Sequence, residues 1–384
     1  MILWAFFIKY NLKMSVSFFE QLKIAKYITN CKLNNIKKFP IVLMLEPHFK
    51  NNLESNLSGK IDYPDAVMEE YLSPERCLYA SKECGAPMVA ITGGEPLLSD
   101  DMPEIVEKLV DNRKYTYICT NGLLVQKKIY DYSPSRYLTW SIELNGDKED
   151  HDKISGQEGV FNEAVHSINL AKTRGFRVTV SCTVYNHQRT KKIIDFLNYL
   201  TFDLNIDGIN LTPGFAYERA TNQESFLTRE AIKRIFRAIF KSKNFKKWKF
   251  NQTDLYLDFL AGNQVYTCSP WATPTFNIFG WQKPCFHLAE GYYKTFDELM
   301  QKTDWKMYGN GIYTKCKDCM THCGHEATAI SEIVKSPMKA LGKKVIGIKT
   351  VGPMPEEISQ QTARPAEDVY EKILEAKMYE LDLM

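Results

Sequence analysis

The sequence lacks the features that define several large classes of protein. No stretch of its 384 residues forms an apolar run of about 18 residues, the length that a membrane-spanning helix needs. An excess of positive charge is also missing, since 49 lysines and arginines are balanced by 46 aspartates and glutamates. This argues against a protein built to bind a nucleic-acid backbone. With 44% hydrophobic and 25% charged residues, the composition excludes a disordered or fibrous chain and predicts one large domain with an appendage, or two domains.

Cysteine is too frequent to ignore and too sparse for a disulfide scaffold. Of the ten cysteines, five are scattered over the first half of the chain and five lie between residues 268 and 323. Three of these follow the pattern Cys316-x2-Cys319-x3-Cys323, and such clustering is more often metal ligation than disulfide pairing. Because no secretory signal precedes them, we expect a reducing cytoplasm.

Apolar runs alternate with helical patterns between residues 39 and 213. The runs that predict strands are Ile41–Glu46, Met88–Thr92, Tyr115–Thr120, Leu138–Leu144, Arg177–Val184 and Gly208–Thr212. The patterns that predict helices between them are Pro74–Glu83, Met102–Asn112, Asn162–Thr173 and Thr190–Leu200. This alternation predicts a parallel sheet with helices outside it. Six units are too few for a closed eightfold barrel. The expected fold class is therefore α/β, an incomplete (β/α)6 barrel with a C-terminal cysteine-rich extension. We expect the functional site at the C-terminal ends of the strands.

Four segments are expected along the chain. They are an N-terminal extension with an amphipathic helix (1–38), the partial barrel (39–245), a cysteine-rich domain (246–330) and a tail that ends in a helix (331–384). The apolar run Met1–Ile8 is interpreted as a short extension, with an interfacial membrane anchor as the alternative. The basic run Lys241–Phe250 is interpreted as a solvated linker rather than a site for an anionic ligand.

A Gly93-Gly94-Glu95-Pro96 motif follows the second predicted strand. Its glycines let the backbone approach a ligand closely, and its carboxylate and carbonyl oxygens would suit an ammonium group. Taken alone, the motif is equally typical of a tight turn into a helix. Together with LMLEP, YICTNGLL, PGFAYE, LDFLAGN, GWQKPC and CMTHCG it resembles the radical S-adenosylmethionine (SAM) superfamily and, within it, the adenosylhopene transferase of hopanoid biosynthesis, from about Met14 to Ala329.

The resemblance implies an activity and its cofactors. In that family a 5′-deoxyadenosyl radical, made from SAM at a [4Fe-4S] cluster, adds to diploptene and gives adenosylhopane. The implied partners are this polycyclic triterpene lipid and an electron donor such as flavodoxin or ferredoxin, with no nucleic acid. The expected location is the cytoplasm, with peripheral contact to the inner face of the membrane as an alternative.

The sequence departs from the family at the cluster motif. Where the superfamily places Cys-x3-Cys-x2-Cys, this chain has Asn51, Ser55 and Ser58. An amide and two hydroxyls do not replace the thiolates that iron–sulfur clusters need. We therefore expect that the chain cannot build the radical-generating cluster, and two alternatives to a transferase stay open: a catalytically silent SAM- or lipid-binding homologue, and a metal-stabilised structural partner.

Further site residues follow from the resemblance and from strand ends. Cys119, at the end of the third strand, matches the family's candidate hydrogen-atom donor, although a buried packing role is the alternative. The motif Gly93, Gly94, Glu95 and Pro96 is the first part of the expected cofactor site. The rest consists of polar side chains at the ends of the third and fourth strands: Thr120, Asn121, Ser141, Glu143 and Asn145. The alternative is that these side chains are solvated and have no role in binding.

The later cysteines predict a second metal site. Their spacing resembles the auxiliary-cluster domains of some radical SAM proteins, in which four thiolates close a [4Fe-4S] cluster. The candidate ligands are Cys268, Cys285, Cys316, Cys319 and Cys323. Because His322 and His325 lie among them, zinc is an alternative, as is a site without metal.

Overall fold

A single mixed sheet organises the molecule. The computed structural model describes residues 18–53, 63–217, 220, 222–309 and 313–355. In this part of the chain a nine-stranded sheet has the order β6-β5-β4-β3-β2-β1-β7-β8-β9. The strands are β1 Val42–Glu46, β2 Met88–Ile91, β3 Tyr115–Thr120, β4 Leu138–Glu143, β5 Arg177–Val184, β6 Gly208–Pro213, β7 Thr275–Asn277, β8 Gly280–Cys285 and β9 Leu288–Tyr293.

The sheet has a parallel and an antiparallel part. Strands β1 to β6 pair in parallel in chain order, and β7 adds in parallel to the other side of β1. Strands β8 and β9 then continue the same sheet in antiparallel pairing. The parallel part is open rather than closed, which confirms the predicted partial barrel. The three added strands were not predicted, because they are short and rich in glycine and polar residues.

Helices connect the parallel strands and pack on one face of the sheet. The bounds of the α-helices are α1 Phe18–Leu33, α2 Asp65–Met68, α3 Pro74–Cys84, α4 Met102–Asp111, α5 Val125–Lys128, α6 Lys148–Ser155, α7 Val160–Thr173, α8 Thr190–Asn198, α9 Arg229–Phe240, α10 Asp254–Leu260, α11 Phe296–Lys302, α12 His322–Lys335 and α13 Pro337–Ile346. Local sequence sets their ends. In α3 the Ser73 side chain accepts a hydrogen bond from the Arg76 N–H at 3.3 Å, and Gly85 follows with φ 71°.

Alternation along the strands separates an apolar from a polar face. In β5 the residues Val178, Val180 and Cys182 are buried in the main core with the helices, while Ser181 and Thr183 point to the opposite face. In a barrel-like sheet with helices outside, that opposite face lines the lumen. The lumen is therefore polar near the C-terminal strand ends.

The amphipathic helix expected from Met14 is described from Phe18 onward, as α1. Its Glu20 is buried and its carboxylate accepts a hydrogen bond from the Tyr117 hydroxyl of β3 at 2.7 Å, while Ile28 packs with Phe39 and Ala327. No helix in the described ranges is long and apolar enough to cross a membrane. The expected extension Met1–Ile8 and the expected helix Ala366–Leu381 lie outside the described residues.

Candidate functional site

Polar side chains of four neighbouring strands share the lumen face. The register pairs Cys119 of β3 with Ser141 of β4, Glu143 of β4 with Ser181 of β5, and Ser181 with Asn210 of β6. The expected period-2 arrangement of Ser141 and Glu143 is therefore present. Sequence reasoning missed Ser181 and Asn210, although the alternation of polar and apolar residues along β5 and β6 marks them.

Glu95 joins the ends of β2 and β3. Its buried carboxylate accepts hydrogen bonds from the Thr120 hydroxyl at 2.7 Å, the Asn121 N–H at 2.9 Å and the Leu97 N–H at 3.1 Å. Burial raises the pKa of Glu95 to about 7, against the lowering effect of these bonds. The structure thus brings together three of the expected cofactor-site residues, but the Glu95 carboxylate is already engaged by the Thr120 hydroxyl and the Asn121 backbone N–H.

The two glycines of the motif are required by the loop after β1. A Cβ at Gly94 would lie 1.7 Å from the Lys50 carbonyl oxygen, and one at Gly93, where φ is 101°, would lie 2.4 Å from that of His48. The same carbonyls accept hydrogen bonds from the N–H groups of Gly94 (3.1 Å) and Glu95 (2.7 Å). Pro96 then begins a short 3-10 turn. The motif and the loop that should carry the cluster are therefore packed directly on each other.

Glu143 lies in a hollow that solvent reaches. The residue is exposed, yet burial among surrounding protein atoms raises the pKa of its carboxyl group. Asn145 is fully buried; its side chain donates to Glu143 at 2.5 Å and accepts from the Thr183 N–H at 2.8 Å. Glu143 can contact a ligand, whereas Asn145 holds Glu143 in place.

The position of the first missing cysteine is filled by a side chain with a local role. The Asn51 side-chain oxygen accepts a hydrogen bond from the Leu53 N–H at 3.0 Å, which forms a turn that asparagine favours. The next residue, Asn52, accepts a hydrogen bond from the Asn121 side chain at 2.8 Å. Ser55 and Ser58 lie outside the described residues. An amide and two hydroxyls do not fit a [4Fe-4S] cluster, whose irons take thiolate ligands.

Sequence reasoning missed a second, half-buried carboxyl group at the lumen, that of Glu46. Glu46 ends β1 and accepts a hydrogen bond from the Asn277 side chain of β7 at 3.0 Å, and Asn277 also donates to Gln282 of β8 at 3.1 Å. Burial raises the pKa of Glu46 to about 7. Glu46 lies two residues after Met44 in β1, so both side chains point to the lumen face. Its hydrogen-bond partner Asn277 belongs to β7, a strand that was not predicted.

The five later cysteines gather where the added strands meet the end of β6. Cys285, Cys316 and Cys319 pack on a cluster formed by Phe215, Leu288 and Tyr313. Burial raises the pKa of all five thiols, and at Cys268 the nearby thiols raise it further. They are therefore neutral thiols unless a metal ion displaces their protons.

Two glycines make room for Cys268. A Cβ at Gly324 of α12 would lie 2.1 Å from the Cys268 sulfur, and one at Gly309 would lie 2.5 Å from the Cys268 Cβ. The neighbouring Cys323 sulfur lies 3.5 Å from Nε2 of His287. The backbone is therefore shaped around this thiol.

The two histidines of the zinc alternative have different surroundings. His325 is buried, stacks on Phe259 at 4.7 Å between ring centroids and contacts the Thr321 carbonyl oxygen through Nδ1 at 3.2 Å. His322 has an enclosed Nδ1 that finds no hydrogen-bond partner among the described residues. Within the described ranges, no three His, Cys, Asp or Glu side chains are arranged so that they could hold a metal ion.

Comparison with known families divides the chain between β5 and β6. A model of the radical SAM superfamily matches residues 61–200, which include β2 to β5. This part of the chain is a radical SAM domain. A second family, described as a domain of unknown function (DUF3463), matches residues 209–343, which include β6 to β9 and the five later cysteines.

The curated proteins to which the chain is similar are named as several different enzymes. The chain is 26% identical over 186 residues to a GTP 3′,8-cyclase of Clostridium perfringens, which covers 46% of this chain and 57% of the relative. It is 27% identical over 110 residues to the Fe-coproporphyrin III synthase of Methanosarcina barkeri, a match that covers 28% of this chain and 27% of that protein. It is 25% identical over 142 residues to the PqqA peptide cyclase of Granulibacter bethesdensis, a match that covers 36% of each protein. The chain thus spans little more than half the length of these relatives at most.

Solved structures extend the likeness to most of the described fold. SuiB of Streptococcus suis matches with a TM-score of 0.56 and 16% identity over 81% of this chain and 77% of SuiB. Native anSMEcpe with bound AdoMet matches with a TM-score of 0.53 and 14% identity over 79% of this chain and 99% of that one. At these identities the likeness concerns the fold alone.

Cys119 of the radical SAM domain should resist alkylation near neutral pH. Burial raises its thiol pKa to about 12, and the carboxyl groups of Glu95 and Glu143 add to the shift while Ser141 opposes it. Because only the thiolate is nucleophilic, iodoacetamide should modify Cys119 far more slowly in the folded protein than in urea. Peptide mass spectrometry measures both rates. Equal rates in the two states would show that the lumen does not protect this thiol.

Proposed function

We propose that this chain is a relative of the adenosylhopene transferases that keeps the ligand-binding barrel and has lost the radical-generating cluster. The observation that carries the proposal is the donor set Asn51, Ser55 and Ser58, of which Asn51 forms a local turn with Leu53. Without three thiolates, no [4Fe-4S] cluster assembles in that loop and SAM has no electron donor. The protein is then a silent binder of SAM or of a polycyclic lipid.

The lumen supports binding of a nucleoside and of an apolar ligand. Cys119, Ser141 and Glu143 offer hydrogen-bond partners for ribose hydroxyls along one face. Deeper toward β6, Phe215 and Tyr217 form an aromatic wall that contacts His287. A polycyclic hydrocarbon would need such an apolar wall. The family resemblance, rather than this wall, identifies diploptene as the lipid.

SAM should bind weakly to the unaltered chain. Its amino and carboxylate groups lose their iron contacts, and the Glu95 carboxylate is already engaged by Thr120, Asn121 and Leu97. Carbonyl acceptors remain, each worth about 1 kcal/mol net. Calorimetry on the iron-free protein should therefore find no sub-micromolar affinity. A sub-micromolar dissociation constant would contradict the proposal that the cluster position is decisive.

We propose that the five later cysteines hold the second metal group after their side chains turn toward one another, since no three of them are so arranged in the described ranges. Four thiolates complete a closed [4Fe-4S] site, and Cys323 beside His287 would be the spare ligand or an alternative one. Zinc with two to four thiolates is the competing group. In either case this group would stabilise the contact between the added strands and β6 rather than contact SAM.

Iron and acid-labile sulfide counting on anaerobically purified protein tests both parts of the proposal. About four irons per chain would place one cluster at the later cysteines, whereas about eight would overturn the reading of the Asn51 loop. Zinc in place of iron would favour the structural alternative. Deoxyadenosine formation by the unaltered, reduced protein would overturn the proposed loss of radical chemistry.

A further inference from the structure

Two segments that are distant in the chain carry large, exposed apolar side chains. Phe202, before β6, is 51% exposed; Ile346, at the end of α13, is 85% exposed; and Val351 is 63% exposed. A single exposed apolar residue is ordinary, but a grouped set points to an interaction surface.

The basic run joins these segments instead of acting as a solvated linker. The Lys247 ammonium group lies 5.7 Å from the centre of the Phe202 ring, and the Lys246 Cε lies 4.0 Å from the position of a Cβ on Gly347. Phe245 and Trp248 of the same run turn inward, since Trp248 is buried and Phe245 packs on the core. The run therefore folds with its aromatic residues inside and its lysines outside.

The lysines in and near this face are exposed. No ion pair is found within the described ranges for the exposed lysines Lys241, Lys243, Lys246, Lys247 and Lys349. The exposed Asp203 beside Phe202 is the acidic residue adjacent in sequence. We call the set Phe202, Lys246, Lys247, Ile346 and Val351 the basic-apolar face.

The segment that carries Ile346 and Val351 is fixed to the protein. Lys343 of α13 forms an ion pair with the buried Asp258 at 2.9 Å. The Arg237 guanidinium donates to the Gly352 carbonyl oxygen and the Asn263 side chain to that of Lys349, both at 2.7 Å. The face is therefore preorganised before any partner binds.

We propose that the basic-apolar face docks on an anionic membrane surface. Lysines attract the negatively charged headgroups, and Phe202, Ile346 and Val351 enter the boundary between headgroups and acyl chains. A nucleic acid would use the lysines but would leave the two aliphatic side chains in water, so the apolar residues favour the membrane. The inference concerns location and stands independently of the chemistry in the lumen.

Vesicle binding of the full chain tests this surface. The probe is phosphatidylcholine vesicles with or without phosphatidylserine, and co-sedimentation measures the bound fraction. The unaltered chain should bind the anionic vesicles more tightly. The double variant Lys246→Gln/Lys247→Gln should bind them on the order of tenfold or more weakly, and Ile346→Ser should lower binding without changing the dependence on salt.

A matched control removes two exposed lysines elsewhere. Lys82→Gln/Lys127→Gln makes the same charge change on α3 and α5 and should bind as the unaltered chain does. Equal losses in both double variants would show an effect of net charge and overturn the assignment of this face. Absence of binding to anionic vesicles, or binding to single-stranded RNA alone, would overturn the membrane proposal. Neither result depends on SAM or iron, so the proposed function is tested separately.

Discussion

Replacing Asn51, Ser55 and Ser58 together by cysteine should add about four irons and four sulfides per chain. The reduced triple variant should also convert SAM into 5′-deoxyadenosine, which the unaltered chain should not form. The physical reason is that the neighbouring motif is intact: Gly94 and Glu95 are hydrogen-bonded to the loop at His48 and Lys50. Metal analysis and mass spectrometry of the reaction mixture measure the two gains.

A triple alanine variant at the same positions is the matched control. It removes the turn between Asn51 and Leu53 as the cysteines do, but it supplies no ligand. Its iron content should equal that of the unaltered chain, so the difference between the two variants reports the new cluster alone. A triple cysteine variant that builds the cluster but forms no deoxyadenosine would show that the SAM site has changed elsewhere in the barrel.

Gly324→Ala should empty the second metal site and destabilise the protein. The added methyl group would lie 2.1 Å from the Cys268 sulfur and 3.1 Å from the Ser269 nitrogen, so the thiol must leave its position. Overpacking of this kind costs about 1–3 kcal/mol, and a cluster that loses one of four thiolates should not persist. Iron counting and thermal unfolding of the anaerobic protein measure the two effects.

Gly342→Ala in α13 is the control for helix propensity. Among the described residues, no atom outside the helix's own backbone and the two chain neighbours lies within 4 Å of the added methyl group, so the change should stabilise the helix by up to about 1 kcal/mol. The two substitutions are chemically identical and should shift the unfolding temperature in opposite directions. If Gly324→Ala keeps its metal and its stability, Cys268 is not a ligand and the close contact relaxes without consequence.

Local sequence was sufficient to place the parallel strands and several helices. Strand β3 was predicted at its observed bounds, and β5 likewise, because each is a β-branched run bounded by turn residues. The period-2 pattern of Ser141, Glu143 and Asn145 predicted one shared face; the register places Ser141 and Glu143 there, whereas Asn145 lies beyond the end of β4. The motifs also indicated a similarity to the radical SAM superfamily, which the match of residues 61–200 supports.

Other features depended on contacts between distant segments, which no local pattern encodes. Strand β7 pairs with β1, and β8 and β9 extend the sheet from β7, so Glu46 meets Asn277 although the two residues are 231 positions apart in the chain. The gathering of the five thiols follows from that same sheet extension and from the space left by Gly324. The basic run Lys241–Phe250 has the composition of a solvated linker, and only the inward packing of its aromatic residues turns its lysines toward Phe202. Sequence by itself determined the parallel strands and the similarity to the radical SAM superfamily, because both depend on residue identity at fixed spacing. Tertiary structure decided which carboxyl groups, thiols and lysines meet, because burial and proximity are set by the packing of the whole sheet.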